Sequence, residues 1–482
     1  MTSKEETIVH LTRRHFLTRA AGLGPIALLS LLADETAASA PSIHANPLAP
    51  KHPHFPAKAK SVIYLGQIGA PSQLDLFDYK PELVKNDGKP VPDSLVQGQK
   101  FVFIGGGKTQ LLASPWKWSQ HGRNDTWLTD RLPFHRAIVD DIAFIHSMHT
   151  NEMNHVPANL LLQTGSPRMG RPTMGAWVTY GLGSENKNLP GFVVLASGKA
   201  GRCGSACWSS GFLPSVYQGV QLRSQGDPVL YLSNPAGVSR ALRRASLDAL
   251  KELNGRALEK FNDPEIATRI NSFEMAYRMQ TSVPELMDIG REPAHIHKLY
   301  GTEPGKPTFA NNCLLARRLV ERGVRFVQLI HGGWDHHGGS GDQNLLTNLP
   351  QRAREVDQGA AALIQDLKRR GLLDTTLVIF GGEFGRTPML QGPRLPRELG
   401  RDHLRTAFTF WLAGAGIKPG LHLGKTDDFG MKPIEDSVHV HDLQATILHL
   451  LGMDHEKLTF RFQGRDFRLT DVHGEVVKKI LA

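Results

Sequence analysis

Short apolar runs rich in β-branched and aromatic residues alternate along the chain with longer segments of helical spacing. "SVIYLG" (61–66) reads as a first buried strand, a second lies near 142–146, and "GFVVLAS" (191–197) is a third. Residues 155–164 predict a helix after a loop. Further on, "NNCLLARRLVERG" and "REVDQGAAALIQDLKRRGLL" have helical spacing, and each precedes an apolar strand, "VRFVQLI" and "TTLVIFGG". "AFTFWLAG" and "HDLQATILHLLG" repeat the strand and helix pattern near the end. Residues 237–300 differ, with two long charged helical stretches and no strand between them, and predict a helical insertion. Strands alternating with helices predict an α/β fold, a mostly parallel sheet covered by helices on both faces.

The first 40 residues do not fit this pattern. Arg13 and Arg14 precede Phe16 and Leu17, a modest apolar stretch follows, and Ala38-Ser39-Ala40 closes it. This is the arrangement of a twin-arginine export signal, too short to span a bilayer. It predicts a periplasmic or extracellular protein with no transmembrane anchor in the mature chain. Residues 41–60, rich in Pro, Ala, His and Lys, read as a linker, so the folded domain is expected over 61–482.

Composition narrows the class. With 40% hydrophobic and 21% charged residues, the 482-residue chain has enough apolar content for a large core and is not disordered. The net charge is +10, and removing a leader with four basic and four acidic residues leaves it unchanged. A basic exported protein suits an anionic partner, a small-molecule or polysaccharide ester. Nucleic acid is not expected, because no basic run carries interleaved aromatics. Oligomeric state is not legible. The three cysteines exclude a fully paired disulfide framework. Cys203 and Cys207 can pair, and they lack the second pair of ligands that a structural zinc site needs.

In parallel α/β sheets, chemistry gathers where strands end. "VRFVQLI" is followed by "HGGWDHHGG", with His331, Asp335, His336 and His337. "TTLVIFGG" is followed by Glu383, Arg386 and Thr387, and "GRDHLR" supplies Arg401, Asp402, His403 and Arg405. After the first strand come Gln67, Ser72, Asp75 and Asp78. Imidazoles and carboxylates at several strand ends provide nitrogen and oxygen ligands for a divalent cation, with zinc, manganese and calcium as candidates. The expected ligands are Asp335, His337, Glu383, His403 and Asp75, the last with helix capping as an equal reading.

These motifs carry a resemblance. "EVDQGAAALIQDLKRRGLLDTTLVIFGGEFG", "AGAGIKPG" and "VHVHDLQATILHLLGMD" resemble the corresponding segments of sulfatases and of the alkaline phosphatase superfamily. In that superfamily the strand ends in Ser-Asp-His-Gly; here Glu383 stands at the Asp position and Phe384 replaces the His. "GAPSQLDLFDYKP", "NHVPANLLLQTGSPRMGRP", "HGGWDHHG", "EFGRTP" and "GRDH" together resemble domain-of-unknown-function family 1501, a family of exported bacterial proteins whose fold is taken to be alkaline phosphatase-like. The resemblance implies a sulfatase-like sheet and a metal-dependent hydrolase of sulfate or phosphate esters. The alternative is a non-catalytic binding or assembly protein on a degenerate sulfatase-like fold, with acidic polysaccharide as one possible ligand.

The resemblance also marks a departure. Sulfatases carry C-x-P-S-R before an apolar run and Thr-Gly, and their cysteine becomes the formylglycine nucleophile. Counted back from Thr164-Gly165, that position is His155, with Pro157 at the proline and Asn159 at the arginine. His155 therefore has four readings: a direct nucleophile, a metal ligand or general base, a remnant that holds the loop, or a hydrogen-bonded structural histidine. Asn154 is placed to orient it. Arg168, Arg171 and Arg386 are candidates to grip an oxyanion in place of the missing arginine. The paired aspartates that end the first strand in sulfatases are also absent, and Gln67 stands there.

Overall fold

Alternate residues of the strand Ser61–Ile68 (β1) belong to different cores, because successive side chains of a strand point to opposite faces. Ile63 and Leu65 pack on one face, Val62 and Tyr64 on the other. Both faces are therefore covered, as the apolar run required. Val62, Ile63 and Leu65 are all fully buried, and truncating Leu65 to alanine would cost about 2–5 kcal/mol.

The computed structural model describes residues 46–482 except 105–108, 199–202, 225–226, 230–231, 262, 340, 393 and 396–397. The twin-arginine segment expected over 1–40 lies outside the described residues. Eight further strands join β1 in one sheet: Ile142–His149 (β2), Phe192–Gly198 (β3), Val220–Leu222 (β4), Phe326–Gly332 (β5), Thr376–Gly381 (β6), Phe408–Ala413 (β7), His422–Leu423 (β8) and Val438–His439 (β9). The order across the sheet is β8-β2-β7-β6-β1-β5-β3-β4, and β9 also pairs with β2. The pairs β1·β5, β1·β6, β3·β5 and β3·β4 are parallel, and so are β8 and β9 on β2. β7 alone runs antiparallel, between β2 and β6. The protein is a mixed α/β fold with a mostly parallel sheet, as the alternation predicted.

On the face of Ile63 and Leu65 lie the helices Phe309–Glu321 and Leu345–Arg369. On the other lie His155–Thr164 (α1), Met174–Leu182 and Val440–Leu450. The two charged stretches of the insertion form the helices Arg240–Phe261 and Pro264–Met287. Residues 46–60, read as a linker, are hydrogen-bonded along the body: Lys58 and Ala59 donate to the Leu450 carbonyl, and Lys51 to that of Leu182. Cys203 and Cys207 form a disulfide, and Cys313 is free and buried. Among the described residues no helix is long and apolar enough to cross a membrane.

α1 is held firmly at its far end. Gly165 closes it in the left-handed conformation (φ +70°), where glycine carries no Cβ penalty. Gln444 caps the last carbonyls, donating to Leu161 and Leu162 at 2.8 and 2.9 Å. The first residue of this anchored helix is His155.

Candidate metal centre

Four loops meet at the carboxyl ends of β1, β5 and β6. Gly69, just after β1, has φ +109°, and a Cβ there would stand 2.8 Å from the Trp334 nitrogen and 2.9 Å from that of Asp335. Only glycine lets the two loops cross this closely. After β5, Asp335 and His337 both reach the cluster, while His336 between them is buried outside it. After β6, Glu383 and Phe384 lead into a two-stranded antiparallel ribbon, Gly385–Leu390 with Arg401–Leu404, in which Arg386 and His403 are partners. His155 approaches from the start of α1.

One ligand atom each from His155, Asp335, His337 and His403 lies within 4.8 Å of every other. Asp335 Oδ1 is their common point. It stands 2.8 Å from His337 Nε2, 3.1 Å from His155 Nε2 and 3.5 Å from His403 Nε2. His337 and His403 meet Nε2 to Nε2 at 2.9 Å.

The other ring nitrogens explain this orientation. His155 Nδ1 lies 2.6 Å from Glu383 Oε1, His403 Nδ1 2.6 Å from the Met153 carbonyl, and His337 Nδ1 2.6 Å from Gln391 Oε1. A carboxylate and a carbonyl only accept, so His155 and His403 donate through Nδ1 and turn the Nε2 lone pair inward. His337 does the same towards the Gln391 oxygen. With all three rings neutral, three lone pairs and one carboxylate oxygen face one another. Ligands about 2.0–2.2 Å from a shared ion stand roughly 3–4 Å apart, so these spacings suit a cation at their centre. Imidazoles fixed by oxygen acceptors on the outer nitrogen are the usual second layer of such a site.

The electrostatics agree. Burial would raise the Asp335 carboxyl, but the close approach of His155, His337 and His403, with the Arg386 charge, holds it far below the usual carboxylate range. Burial and the Arg386 charge pull His403 down to about 4, so it is neutral at physiological pH. Burial also lowers His155, but Asp335 and Glu383 more than offset this and raise it above its ordinary value. A cation and a proton therefore compete for His155 Nε2. Affinity is expected to fall as pH drops through the His155 pKa, which isothermal titration in buffers of different ionisation heat would read as proton release.

The structure places the other expected residues as follows. Glu383 is fully buried, and its Oε1 accepts from His155 and from the Gly69 N–H at 3.0 Å, so it braces His155 and stands outside the group of four. Asp75 does not reach the group: both its oxygens are taken by Arg401, at 2.7 and 3.1 Å, and the Ser72 hydroxyl donates to it. Arg386 is committed. Its guanidinium donates to the carbonyls of Ala70 and Gly69 and to Asp335 at 2.7 Å, so it positions Asp335 instead of standing free for an oxyanion. Arg168 and Arg171 follow the far end of α1, which at 1.5 Å per residue is about 15 Å from His155. Arg168 is exposed, and Arg171 pairs with Asp471 at 3.4 Å. Asn154 is an exposed N-cap without a side-chain capping bond. His331 turns away to Ser197, and His336 is buried, with its pKa lowered by burial to about 3.

Sequence reasoning missed three contributors. Gln391 fixes His337, Gln73 clamps the Arg386 backbone in both directions at 2.8 and 2.9 Å, and Phe103 lies edge-on over His337 and His403. An isolated glutamine or a loop aromatic carries no signal of its own.

The family described as "Protein of unknown function (DUF1501)" matches residues 59–481. No curated protein matches the chain. Among solved structures it is similar to the lipoteichoic acid synthase LtaP from Listeria monocytogenes, with 11% identity over 89% of this chain and 78% of that one and a TM-score of 0.35. It is similar to a TAB5 alkaline phosphatase mutant with Mg bound, with 12% identity over 76% and 94% of the two chains and a TM-score of 0.32. It is also similar to the PsFucS1 sulfatase from Pseudoalteromonas sp., with 11% identity over 83% and 68% and a TM-score of 0.34.

Proposed function

We propose that this chain, which belongs to the DUF1501 family of proteins of unknown function, is an exported metal-dependent hydrolase of sulfate or phosphate esters. The observation that carries the reading is the convergence of three imidazole Nε2 atoms and the Asp335 carboxylate, each imidazole fixed by an oxygen on its outer nitrogen. Three nitrogens and one oxygen favour zinc or manganese. Calcium, kept open from the sequence, prefers an all-oxygen shell.

His155, Asp335, His337 and His403 would hold the cation. When bound, it supplies a Lewis acid beside the ester oxygen. The chain's residues do the rest. Glu383 keeps the proton of His155 on Nδ1 and raises the basicity of Nε2. Arg386 holds Asp335 in place and offsets part of its charge. Phe384 packs against His155 and His403 with ring centres 4.9 and 4.5 Å apart, and keeps water from that side. Asp335 keeps 30% of its side chain exposed, so an ester can approach from there. The net charge of +10 favours an anionic substrate.

Metal analysis of the purified chain, with assays on aryl phosphates and aryl sulfates, tests the reading. One zinc or manganese per chain and hydrolysis lost to a chelator are expected. No bound metal and no turnover with added metal would overturn it. Replacing Glu383 by alanine should weaken metal binding about 10–100-fold, read by competition with a chromogenic chelator. Glu383→Gln, which keeps an acceptor for His155, should lose less.

A second reading, a non-catalytic binder of acidic polysaccharide, is favoured by the commitment of Arg386 and Arg171 to internal partners. Stoichiometric metal with no hydrolysis, and polysaccharide binding indifferent to Asp335→Asn, would select it.

A further inference from the structure

His155, Asn159 and Gln163 recur at every fourth position and form one stripe along α1. The stripe runs from the metal centre to a separate, largely enclosed cavity of about 130 Å³. Asn159 and Gln163 line it from α1, Gln328 and Ile330 from β5, and Trp208 from the turn that the Cys203–Cys207 disulfide closes. Asn159, Gln163 and Gln328 are each at most 2% exposed.

Among the described residues these amides are only partly satisfied. Asn159 uses its nitrogen on the His155 carbonyl at 2.9 Å, but its oxygen has no hydrogen-bond partner. Neither end of Gln163 has a well-formed bond, although the Tyr64 hydroxyl lies beside it, and the oxygen of Gln328 is also unpaired. Leaving one buried polar group unpaired costs about 1–3 kcal/mol. Three amides around one cavity therefore ask for an occupant.

The lining selects the occupant's chemistry. None of the described residues around the cavity is charged, so an ion there would be desolvated without a counter-charge. A purely apolar molecule would leave the amides unpaired. Three unpaired amide oxygens and one NH₂ need a neutral group that donates more often than it accepts, yet does both, as clustered hydroxyls do. The apolar walls and the Trp208 ring suit the carbon side of such a group. A cavity of about 150 Å³ accepts a six-carbon ring, so this one takes a short polyol or the edge of one sugar ring.

We propose that this cavity is a binding site for a neutral polyhydroxyl group, a free short polyol or one unit of a saccharide. The site is separate from the cation-binding atoms and does not depend on the hydrolase reading.

Ligand-observed saturation-transfer NMR on the mature chain, with glycerol, erythritol and a methyl glucoside as probes, tests the proposal. At least one should bind saturably. The short polyols alone would identify a free polyol, and the glycoside a saccharide unit. Gln163→Met combined with Gln328→Met should weaken that binding at least tenfold, while Asp335→Asn leaves it unchanged. Trp208→Ala, at the half-buried end of the short helix Gly204–Trp208, serves as a second variant if the double one fails to fold, and should also weaken binding. No saturable binding by any probe, or binding unchanged in both the double variant and Trp208→Ala, would overturn the proposal. The first of these outcomes would leave ordered water as the occupant.

Discussion

Replacing Asp335 by asparagine should abolish stoichiometric metal binding and with it any ester hydrolysis. Asp335 Oδ1 lies within 3.5 Å of all three histidine Nε2 atoms, and no other group in the cluster carries a negative charge. Removing that charge leaves three imidazoles and the Arg386 cation, 2.7 Å away, facing an incoming dication. Asparagine keeps the shape, so the loss is electrostatic and not steric. Metal content measured after dialysis should fall from one per chain to near zero, and turnover should fall with it. If the variant retains full metal and full activity, the cation does not bind at the Asp335 cluster. Circular dichroism separates this outcome from misfolding.

The second large effect concerns stability. Asp75 and Arg401 are both fully buried and joined by two bonds, at 2.7 and 3.1 Å. Arg401 also donates to the carbonyls of Leu112 and Thr387, so it ties three segments together. Replacing Asp75 by alanine strands a guanidinium away from water, which typically costs 3–5 kcal/mol. Denaturant unfolding should show that loss. Converting the pair to apolar residues, Asp75→Leu with Arg401→Met, should recover much of it, because no charge is then left unpaired. If the single variant is as stable as the parent, the pair does not hold the ribbon. The Arg401 carbonyl lies 3.3 Å from Arg386 and His403 is two residues on, so the single variant should also weaken metal binding.

Much of this was legible in the chain itself. The apolar β-branched runs fixed the sheet, because a strand buried on both faces leaves no polar alternation. "HGGWDHHGG" pointed to candidate ligands, because imidazoles and a carboxylate beside glycines at a strand end are hard to explain by packing. His337, Asp335, His403 and His155 were all named from sequence, and the structure brings these four together. Asp75 and Glu383 were also named as ligands, and here sequence had no means to decide. A buried carboxylate beside a guanidinium and one beside a cation look alike in a string of letters.

What the sequence determined by itself was the kind of fold, the strand ends where chemistry gathers, and the family. Those follow from periodicity and local residue type, which are properties of neighbours along the chain. Only the tertiary structure decided which carboxylate joins the three histidines and which braces one of them, that Arg386 is already engaged, and that α1 carries a stripe of unpaired amides beneath His155. Each of these depends on contacts between residues up to hundreds of positions apart, such as Asp75 with Arg401 and His155 with Glu383. No local pattern encodes such a pairing. It is set by the order in which the strands lie side by side in the sheet.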